Sequence, residues 1–261
     1  MELRLDDRTA LVTGGSQGLG RAMAETFAMA GARVAIAARN EQGLAAAAAG
    51  IAQLAPQAKI LTLSVDVSDS VGLVEAHAAA VAELGPIDIL VNNAGTSAAG
   101  PFLDVSDEQW QHDLDLKFFA AVRLIRLCLP SMQAKGWGRI INVLNTAAKA
   151  PRARSMPTSV TRAAGMAMTK ALAGEVAADG VLVNALNTGL LVTKQWEQRH
   201  ADTASEMSWP EFTARIGRDI PLGRMGEAQE FANLALFLAS DAASYLTGTA
   251  INVDGGLSPV V

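Results

Sequence analysis

The chain alternates between short apolar runs and longer segments in which apolar residues recur every three or four positions. Short runs without clear alternation of apolar and polar residues are typical of parallel strands that are buried on both faces. The predicted strands cover residues 9–12, 33–37, 60–65, 87–91, 139–143, 181–184 and 250–253. Seven such runs, separated by amphipathic segments, predict a sheet covered by helices.

The first amphipathic segment shows the helical pattern most clearly. Its apolar and small residues are Leu19, Ala22, Met23, Thr26, Phe27 and Ala30. Their spacing is that of one face of a helix, and Gly31 can end it. Strand and helix alternate along the whole chain, which predicts an α/β fold with a three-layer, doubly wound parallel sheet. Without a linker or an internal repeat, residues 1–261 are expected to form a single domain.

The composition and net charge exclude several kinds of binding partner and bound group. The chain has 261 residues, of which half are apolar, and its net charge is −5. That charge argues against nucleic acid or an anionic membrane as the main partner. Cys128 is the only cysteine, so an intramolecular disulfide and a cysteine metal cluster are excluded. The His, Asp and Glu residues show no metal-ligand spacing, and no metal site is expected.

The chain starts without an apolar signal region, and no apolar stretch is long enough to cross a bilayer. We therefore expect a cytoplasmic protein.

The first predicted strand runs into the sequence T-G-G-S-Q-G-L-G, which leads into the first helix. Gly14 permits a tight turn, Gly18 lets the backbone approach a pyrophosphate, and Gly20 allows close packing of helix and strand. The amino end of the helix then offers N–H groups to the phosphates. The predicted dinucleotide cradle comprises Gly14, Ser16, Gln17, Gly18, Leu19 and Gly20. A purely structural glycine-rich turn is the alternative.

The end of the second predicted strand bears on cofactor choice. A site for NAD(H) usually carries a carboxylate there, which binds the ribose 2′-hydroxyl. This chain has Ala38 followed by Arg39. Because a guanidinium suits a 2′-phosphate, the sequence favours NADP(H) over NAD(H).

Several further motifs carry a family resemblance: Asp66 and Val67 after the third strand, N-N-A-G ending at Gly95, G-R-I-I-N-V at 138–143, and the tail from P-L-G-R-M-G to I-N-V-D-G-G. With the glycine turn, they make nearly the whole chain resemble the short-chain dehydrogenase/reductase family. The resemblance implies a Rossmann-type domain, NAD(P) binding, alcohol–carbonyl chemistry on a small-molecule substrate, and a homodimer or homotetramer. The further cofactor contacts that it implies are Asp66, Val67, Asn93, Ala94, Gly95, Arg162, Gly189 and Thr193.

The four catalytic positions of that family are occupied differently here. Family members usually carry Asn, Ser, Tyr and Lys, and the matching positions hold Lys117, Asn145, Thr158 and Arg162. A threonine hydroxyl is far less acidic than a phenol and does not replace tyrosine as an equivalent acid. The only tyrosine, Tyr245, lies in the tail, far from these positions in sequence.

Lys117 is the candidate proton donor. Proximity to Arg162 and partial burial would lower its pKa, so that it serves as a general acid. Asn145 would hold the carbonyl oxygen, Thr158 would position substrate or water, and Arg162 would donate to the nicotinamide ribose.

Other readings of the same residues stay open. Lys117 can pair with Asp113 or Asp115, or can clamp a substrate carboxylate together with Arg162. It can also serve as a base or an imine-forming amine in non-redox chemistry. In another class of function, the protein is a catalytically silent nucleotide-binding sensor or scaffold.

Two further regions suggest a lid over the substrate and a surface for self-association. Residues 194–218, which contain Trp196, Trp209 and Phe212, are expected to form a lid over the substrate or a surface helix pair anchored by its aromatic residues. Residues 107–133 and 157–178 show apolar or small residues on more than one helical face, so self-association is expected.

Overall fold

The computed structural model describes residues 3–261. Its centre is a parallel sheet of seven strands in the order β3-β2-β1-β4-β5-β6-β7. The strands are β1 (Thr9–Thr13), β2 (Arg33–Ala38), β3 (Ile60–Ser64), β4 (Ile89–Asn92), β5 (Gly138–Asn145), β6 (Val181–Thr188) and β7 (Ala250–Val253). The order reverses between β1 and β4, which is where sheets of this kind open a crevice for ligands.

Nine α-helices connect or follow these strands in the described part of the chain. They are α1 (Gly18–Met29), α2 (Glu41–Leu54), α3 (Ser70–Leu84), α4 (Asp107–Leu114), α5 (Ala120–Lys135), α6 (Thr158–Val176), α7 (Lys194–Thr203), α8 (Trp209–Gly217) and α9 (Ala228–Ala239). A π-helical turn, Asp115–Phe119, joins α4 to α5. Short 3₁₀ turns occur at Phe102–Asp104, Thr146–Ala148, Ala177–Asp179 and Asp241–Ala243.

The helices cover both faces of the sheet and create two cores. On one face α1, α2 and α9 pack through residues such as Phe27, Ile51 and Phe231. On the other face α3, α5 and α6 pack through residues such as Leu73 and Leu124. Because the central strands are buried from both sides, most of their residues are apolar. The predicted three-layer, doubly wound, Rossmann-type α/β fold is confirmed.

All seven predicted strands are present, and their ends differ by a few residues. The fifth and sixth strands are longer than predicted: residues 144–145 and 185–188 continue them, and these residues include polar as well as apolar side chains. Asn187, for example, is fully buried, and its side-chain amide donates 2.9 Å to Asn252. Gly31 follows α1 with a φ of +99°, a left-handed conformation that suits glycine at a helix end.

Three further observations concern the single cysteine, possible metal ligands and membrane spans. Cys128 is completely buried in α5, and burial raises the pKa of its thiol to about 12. Among residues 3–261, no group of three or more His, Cys, Asp or Glu side chains is arranged to hold a metal ion. Over the same residues, no helix has the length and hydropathy needed to cross a membrane.

Candidate active site

A cleft of about 840 Å³ opens at the carboxyl ends of the strands. The turn between β1 and α1 forms its floor, with φ values of +66° at Gly14 and +55° at Gly18 that favour glycine. At Gly20 a Cβ atom would overlap the carbonyl oxygen of Gly14. Gly20 does not itself line the cleft; its missing side chain allows α1 to pack against the turn.

The amino end of α1 is open for an anion. Gln17 precedes the helix without capping it through its side chain, and the first turn carries no acidic residue. Its N–H groups are therefore not taken by a side-chain cap, and the positive end of the helix dipole faces the turn. This arrangement fits a pyrophosphate group.

Arg39 lies at the end of β2 on the wall of the cleft. Its guanidinium is 3.6 Å from the carboxylate of Asp66, and its side chain is 69% exposed. Partial burial raises the pKa of Asp66, but hydrogen bonds from Ser68 and the charge of Arg39 outweigh it and lower that pKa overall. Exposed ion pairs of this length are weak, so Arg39 can turn to a ligand phosphate at little cost.

Asn93 ties the end of β4 to the glycine turn. Its side-chain amide donates to the carbonyl oxygen of Thr13 at 2.8 Å. In return, the Thr13 hydroxyl oxygen accepts the backbone N–H groups of Asn93 and Ala94 at 2.9 and 3.0 Å. Thr13 is a site-forming residue that the glycine motif includes but that the sequence analysis did not single out.

Arg162 extends from α6 across the end of β5. Its Nη1 donates to the carbonyl oxygen of Val143 at 2.7 Å, and its buried Nε has no hydrogen-bond partner among the described residues. A Cβ atom at Gly95 would lie 2.6 Å from Nη2, so glycine there makes room for the guanidinium. Burial lowers the pKa of Arg162 to about 10, which leaves the group charged at neutral pH.

Lys117 lies in the π-helical turn, and its side chain is fully buried. The ammonium group donates to the carboxylate of Asp113 and, at 2.9 Å, to the hydroxyl oxygen of Thr158. Burial lowers the pKa of Lys117 to about 8, the charge of Arg162 acts in the same direction, and Asp113 opposes both. Lys117 does not line the cleft; it lies behind Thr158.

Thr158 and Asn145 face the cleft itself. The Thr158 hydroxyl oxygen accepts the backbone N–H of Ala98 at 3.0 Å in addition to the Lys117 ammonium. Asn145 ends β5, and its buried Oδ1 atom has no partner among the described residues. The cleft therefore presents a hydroxyl, an amide and a guanidinium in one wall.

The structure brings together most of the residues that the sequence analysis proposed. The proposed residues that line the cleft are Gly14, Ser16, Gln17, Gly18, Leu19, Arg39, Asp66, Val67, Asn93, Ala94, Gly95, Asn145, Thr158, Arg162, Gly189 and Thr193. Gly20 and Lys117 lie behind this surface. The four-residue spacing from Asp113 to Lys117 indicates a possible ion pair, with Asp115 as the alternative, and the structure shows the pair with Asp113. No local pattern predicts the contact of Ala98 with Thr158.

The segment 194–218 forms helices α7 and α8 beside the cleft. Lys194, Gln195 and Trp196 line the cleft, whereas Phe212 is buried. The Phe212 ring centroid lies 6.3 Å from that of Trp196 and 5.8 Å from that of Trp209. The aromatic residues thus anchor the helix pair, and Trp196 also faces the cavity.

Comparison with known proteins agrees with this geometry. The family model described as Enoyl-(Acyl carrier protein) reductase matches residues 14–258. Sorbitol dehydrogenase from Cereibacter sphaeroides is 34% identical over 257 residues, which cover 97% of this chain and 98% of that protein.

Two solved structures are similar over the whole chain. L-Sorbose reductase from Gluconobacter frateurii, complexed with NADPH and L-sorbose, has a TM-score of 0.94 at 34% identity and full coverage of both chains. An NADPH-bound short chain oxidoreductase from Pseudomonas aeruginosa PAO1, described as containing an atypical catalytic center, has a TM-score of 0.92 at 37% identity and 99% coverage of each chain. This chain therefore belongs to the short-chain dehydrogenase/reductase family of NAD(P)-dependent oxidoreductases.

Proposed function

We propose that the protein is an NADP(H)-dependent oxidoreductase that interconverts a small carbonyl compound and its alcohol through an altered set of catalytic residues. One observation carries the proposal. A single cleft joins an uncapped glycine turn and Arg39 at one end to Asn145, Thr158 and Arg162 at the other. A dinucleotide laid along this cleft reaches from the anion-binding turn to the polar wall.

The residues present fit the cofactor. The turn at Gly14 and the open amino end of α1 suit the pyrophosphate. Arg39 is free to bind a 2′-phosphate, and Ala38 leaves no carboxylate at the place where one would repel it. Both similar structures described above contain NADPH, which supports the choice of NADP(H) over NAD(H).

When bound, the reduced nicotinamide supplies hydride to a carbonyl carbon. The Asn145 amide then donates to the carbonyl oxygen and stabilises its developing charge. Arg162, which is fixed by Val143 and has unused donors, binds the ribose and keeps positive charge near that oxygen. Lys117 supplies the proton for the substrate oxygen, because its lowered pKa suits a general acid near neutral pH.

Single-turnover kinetics test this function. NADPH bound to the purified protein is mixed with a panel of aldehydes and ketones, including ketoses, and its loss of absorbance is followed. We expect at least one carbonyl compound to oxidise NADPH and to yield the matching alcohol. Tight NADPH binding without oxidation by any member would instead indicate a nucleotide-binding sensor or scaffold.

A second arm of the experiment tests the role of Lys117. Lys117→Met should reduce the rate of hydride transfer by about 100-fold or more. An unchanged rate would place the proton donor elsewhere. Trapping of a substrate adduct on Lys117 by borohydride would point to imine chemistry instead.

We also propose that the protein assembles into a homodimer or homotetramer. Ala167, Ala171 and Gly174 lie on an exposed face of α6, and a Cβ atom at Gly174 would meet nothing within 4 Å. Such a face of small residues lets a second helix approach closely.

A further inference from the structure

The position of Lys117 raises a question for any proton transfer, because its ammonium group does not reach the cleft. Its hydrogen bonds lead to Asp113 on one side and to Thr158 on the other. Of these two partners, only Thr158 lines the cavity. A proton that leaves Lys117 for a ligand in the cleft therefore passes through the Thr158 hydroxyl.

The hydrogen bonds of Thr158 orient that hydroxyl. A hydroxyl oxygen has two acceptor lone pairs and one proton to donate. The Ala98 N–H and the Lys117 ammonium, at 3.0 and 2.9 Å, occupy both acceptor positions. The proton of Thr158 must then point away from both donors, and the cleft is the side that remains. Thr158 is thus held as a donor toward the cavity.

The charges around Lys117 favour release of its proton. Asp113 faces it from α4, and Arg162 faces it from α6. With all three groups ionised, the cluster carries one net positive charge, and loss of a proton from Lys117 leaves the neutral pair of Asp113 and Arg162. Burial penalises excess charge, so the cluster becomes a better proton donor than an exposed lysine.

We propose that Thr158 passes the proton of Lys117 to the substrate, so that Asp113, Lys117 and Thr158 form a proton relay. The Thr158 hydroxyl gives its proton to the substrate oxygen while the Lys117 ammonium returns one to the threonine oxygen. One O–H bond forms on the product alcohol, one N–H bond breaks on Lys117, and Thr158 is unchanged. After the product leaves, an acid from solvent (hydronium or a buffer acid) enters the cleft, and its proton returns to Lys117 by the reverse transfer through the Thr158 hydroxyl.

This relay rests on the proposed reductase function and removes its main chemical difficulty. A threonine hydroxyl is too weak an acid to give up a proton and remain ionised. In the relay no threonine alkoxide accumulates, because both protons move in the same step. The acidity that matters is that of Lys117, whose pKa burial lowers to about 8.

Asp113 is a positioning residue in this scheme. It accepts a hydrogen bond from the Lys117 ammonium, and its own side chain is buried. The π-helical turn carries Lys117 past the end of α4, and the Asp113 carboxylate fixes the ammonium beside α6. Without that carboxylate, the burial of Lys117 would favour its neutral form, which cannot donate the proton.

The first experiment compares substitutions at Thr158 by single-turnover reduction of a carbonyl substrate. Thr158→Val should lower the rate by about 100-fold or more, and Thr158→Ser should keep it within about tenfold, because serine retains the hydroxyl. Thr161→Val is the matched control: Thr161 is buried in the same helix, outside the cleft, and its substitution should change the rate by less than about twofold. Unchanged NADPH binding verifies that the variants fold.

The results separate the relay from the function on which it rests. Normal reduction by Thr158→Val would overturn the relay and leave the reductase intact. Failure of the native protein to oxidise NADPH with any carbonyl compound would overturn both. In the native protein, the reduction rate should also fall above about pH 8, because the relay requires protonated Lys117.

The second experiment needs neither cofactor nor turnover. Lysine side chains labelled with ¹⁵N are titrated by NMR, and Lys117→Arg identifies the Lys117 signal by its loss. Asp113→Asn should lower the midpoint of that titration by more than about one pH unit, and Thr158→Val should shift it as well. If neither substitution shifts the pH midpoint of the Lys117 titration, the relay is wrong even if the enzyme is active.

Discussion

The ammonium group of Lys117 and the carboxylate of Asp113 form an ion pair across one helical turn, with both side chains almost completely removed from solvent. Their contact spans the junction between α4 and the π-helical turn. A buried pair of this kind gains little net stability, because desolvation of both charges offsets their attraction. Its presence is better explained by a functional role than by the stability of the fold.

The pair makes stability depend on pH. Burial lowers the pKa of Lys117 from 10.5 to about 8, so the unfolded chain binds its proton more tightly than the folded protein does. Between these values the unfolded state holds more protons, and the free energy of unfolding rises with pH. From about pH 7.5 to about pH 9.5 the gain is on the order of 2 kcal/mol.

Urea unfolding at both pH values measures this gain. The comparison is with the double variant Lys117→Met/Asp113→Asn, which lacks both charges and therefore lacks this contribution. A difference between native and variant protein that stays constant with pH would contradict the lowered pKa of Lys117.

The preference for NADPH over NADH should depend on the side chain of Arg39. Arg39→Ala should weaken NADPH binding by about tenfold or more and leave NADH binding within about twofold, because only NADPH carries the 2′-phosphate. Ala38→Asp combined with Arg39→Ala should reverse the preference toward NADH. Fluorescence titration with both cofactors checks this, and an equal loss for both would remove Arg39 from phosphate recognition.

Two helical glycines should respond differently to alanine. Gly20→Ala forces a Cβ atom onto the Gly14 carbonyl oxygen, so it should lower the melting temperature and abolish dinucleotide binding. Within one protomer, a Cβ atom at Gly174 meets nothing within 4 Å, so Gly174→Ala should leave dinucleotide binding unchanged and should not lower the melting temperature. Thermal unfolding with and without NADPH distinguishes them, and tolerance of alanine at Gly20 would refute the close approach of α1 to the turn.

Self-association should depend on the small-residue face of α6. Ala171→Glu places a charge in the middle of that face and should convert the dimer or tetramer into smaller species. Size-exclusion chromatography with light scattering measures the change, with Ala52→Glu at an exposed position of α2 as the charge control. A native protein that is monomeric at all concentrations would refute the proposed assembly.

The sequence predicted the sheet well because its strands are buried on both faces. The run 34–37 is entirely apolar and buried, as a parallel core requires, and the observed β2 extends the predicted strand 33–37 by a single residue, Ala38. Strand ends were less predictable. Residues Asn145 and Thr188 end long strands as polar side chains, and their burial depends on tertiary partners that a local pattern does not reveal.

The sequence predicted most residues of the candidate site, but it did not predict how deeply Lys117 is buried. The glycine turn and Arg39 follow from local spacing, and the structure brings them into one cleft. Lys117 was expected to reach toward the substrate. Its side chain is instead buried behind Thr158, and it lies in the π-helical turn, which changes the residue spacing between α4 and α5. No periodicity in 107–133 signals that insertion, so the contact with Thr158 could not be read from the sequence.

The buried thiol of α5 offers a practical advantage. Because Cys128 is enclosed and its thiolate is disfavoured, it will not compete for maleimide or nitroxide reagents. A cysteine introduced at an exposed position of α7, such as Gln198, would then be the sole reactive group on the native background. Spectroscopic labels placed there would report directly on whether α7 and α8 move when a dinucleotide enters the cleft.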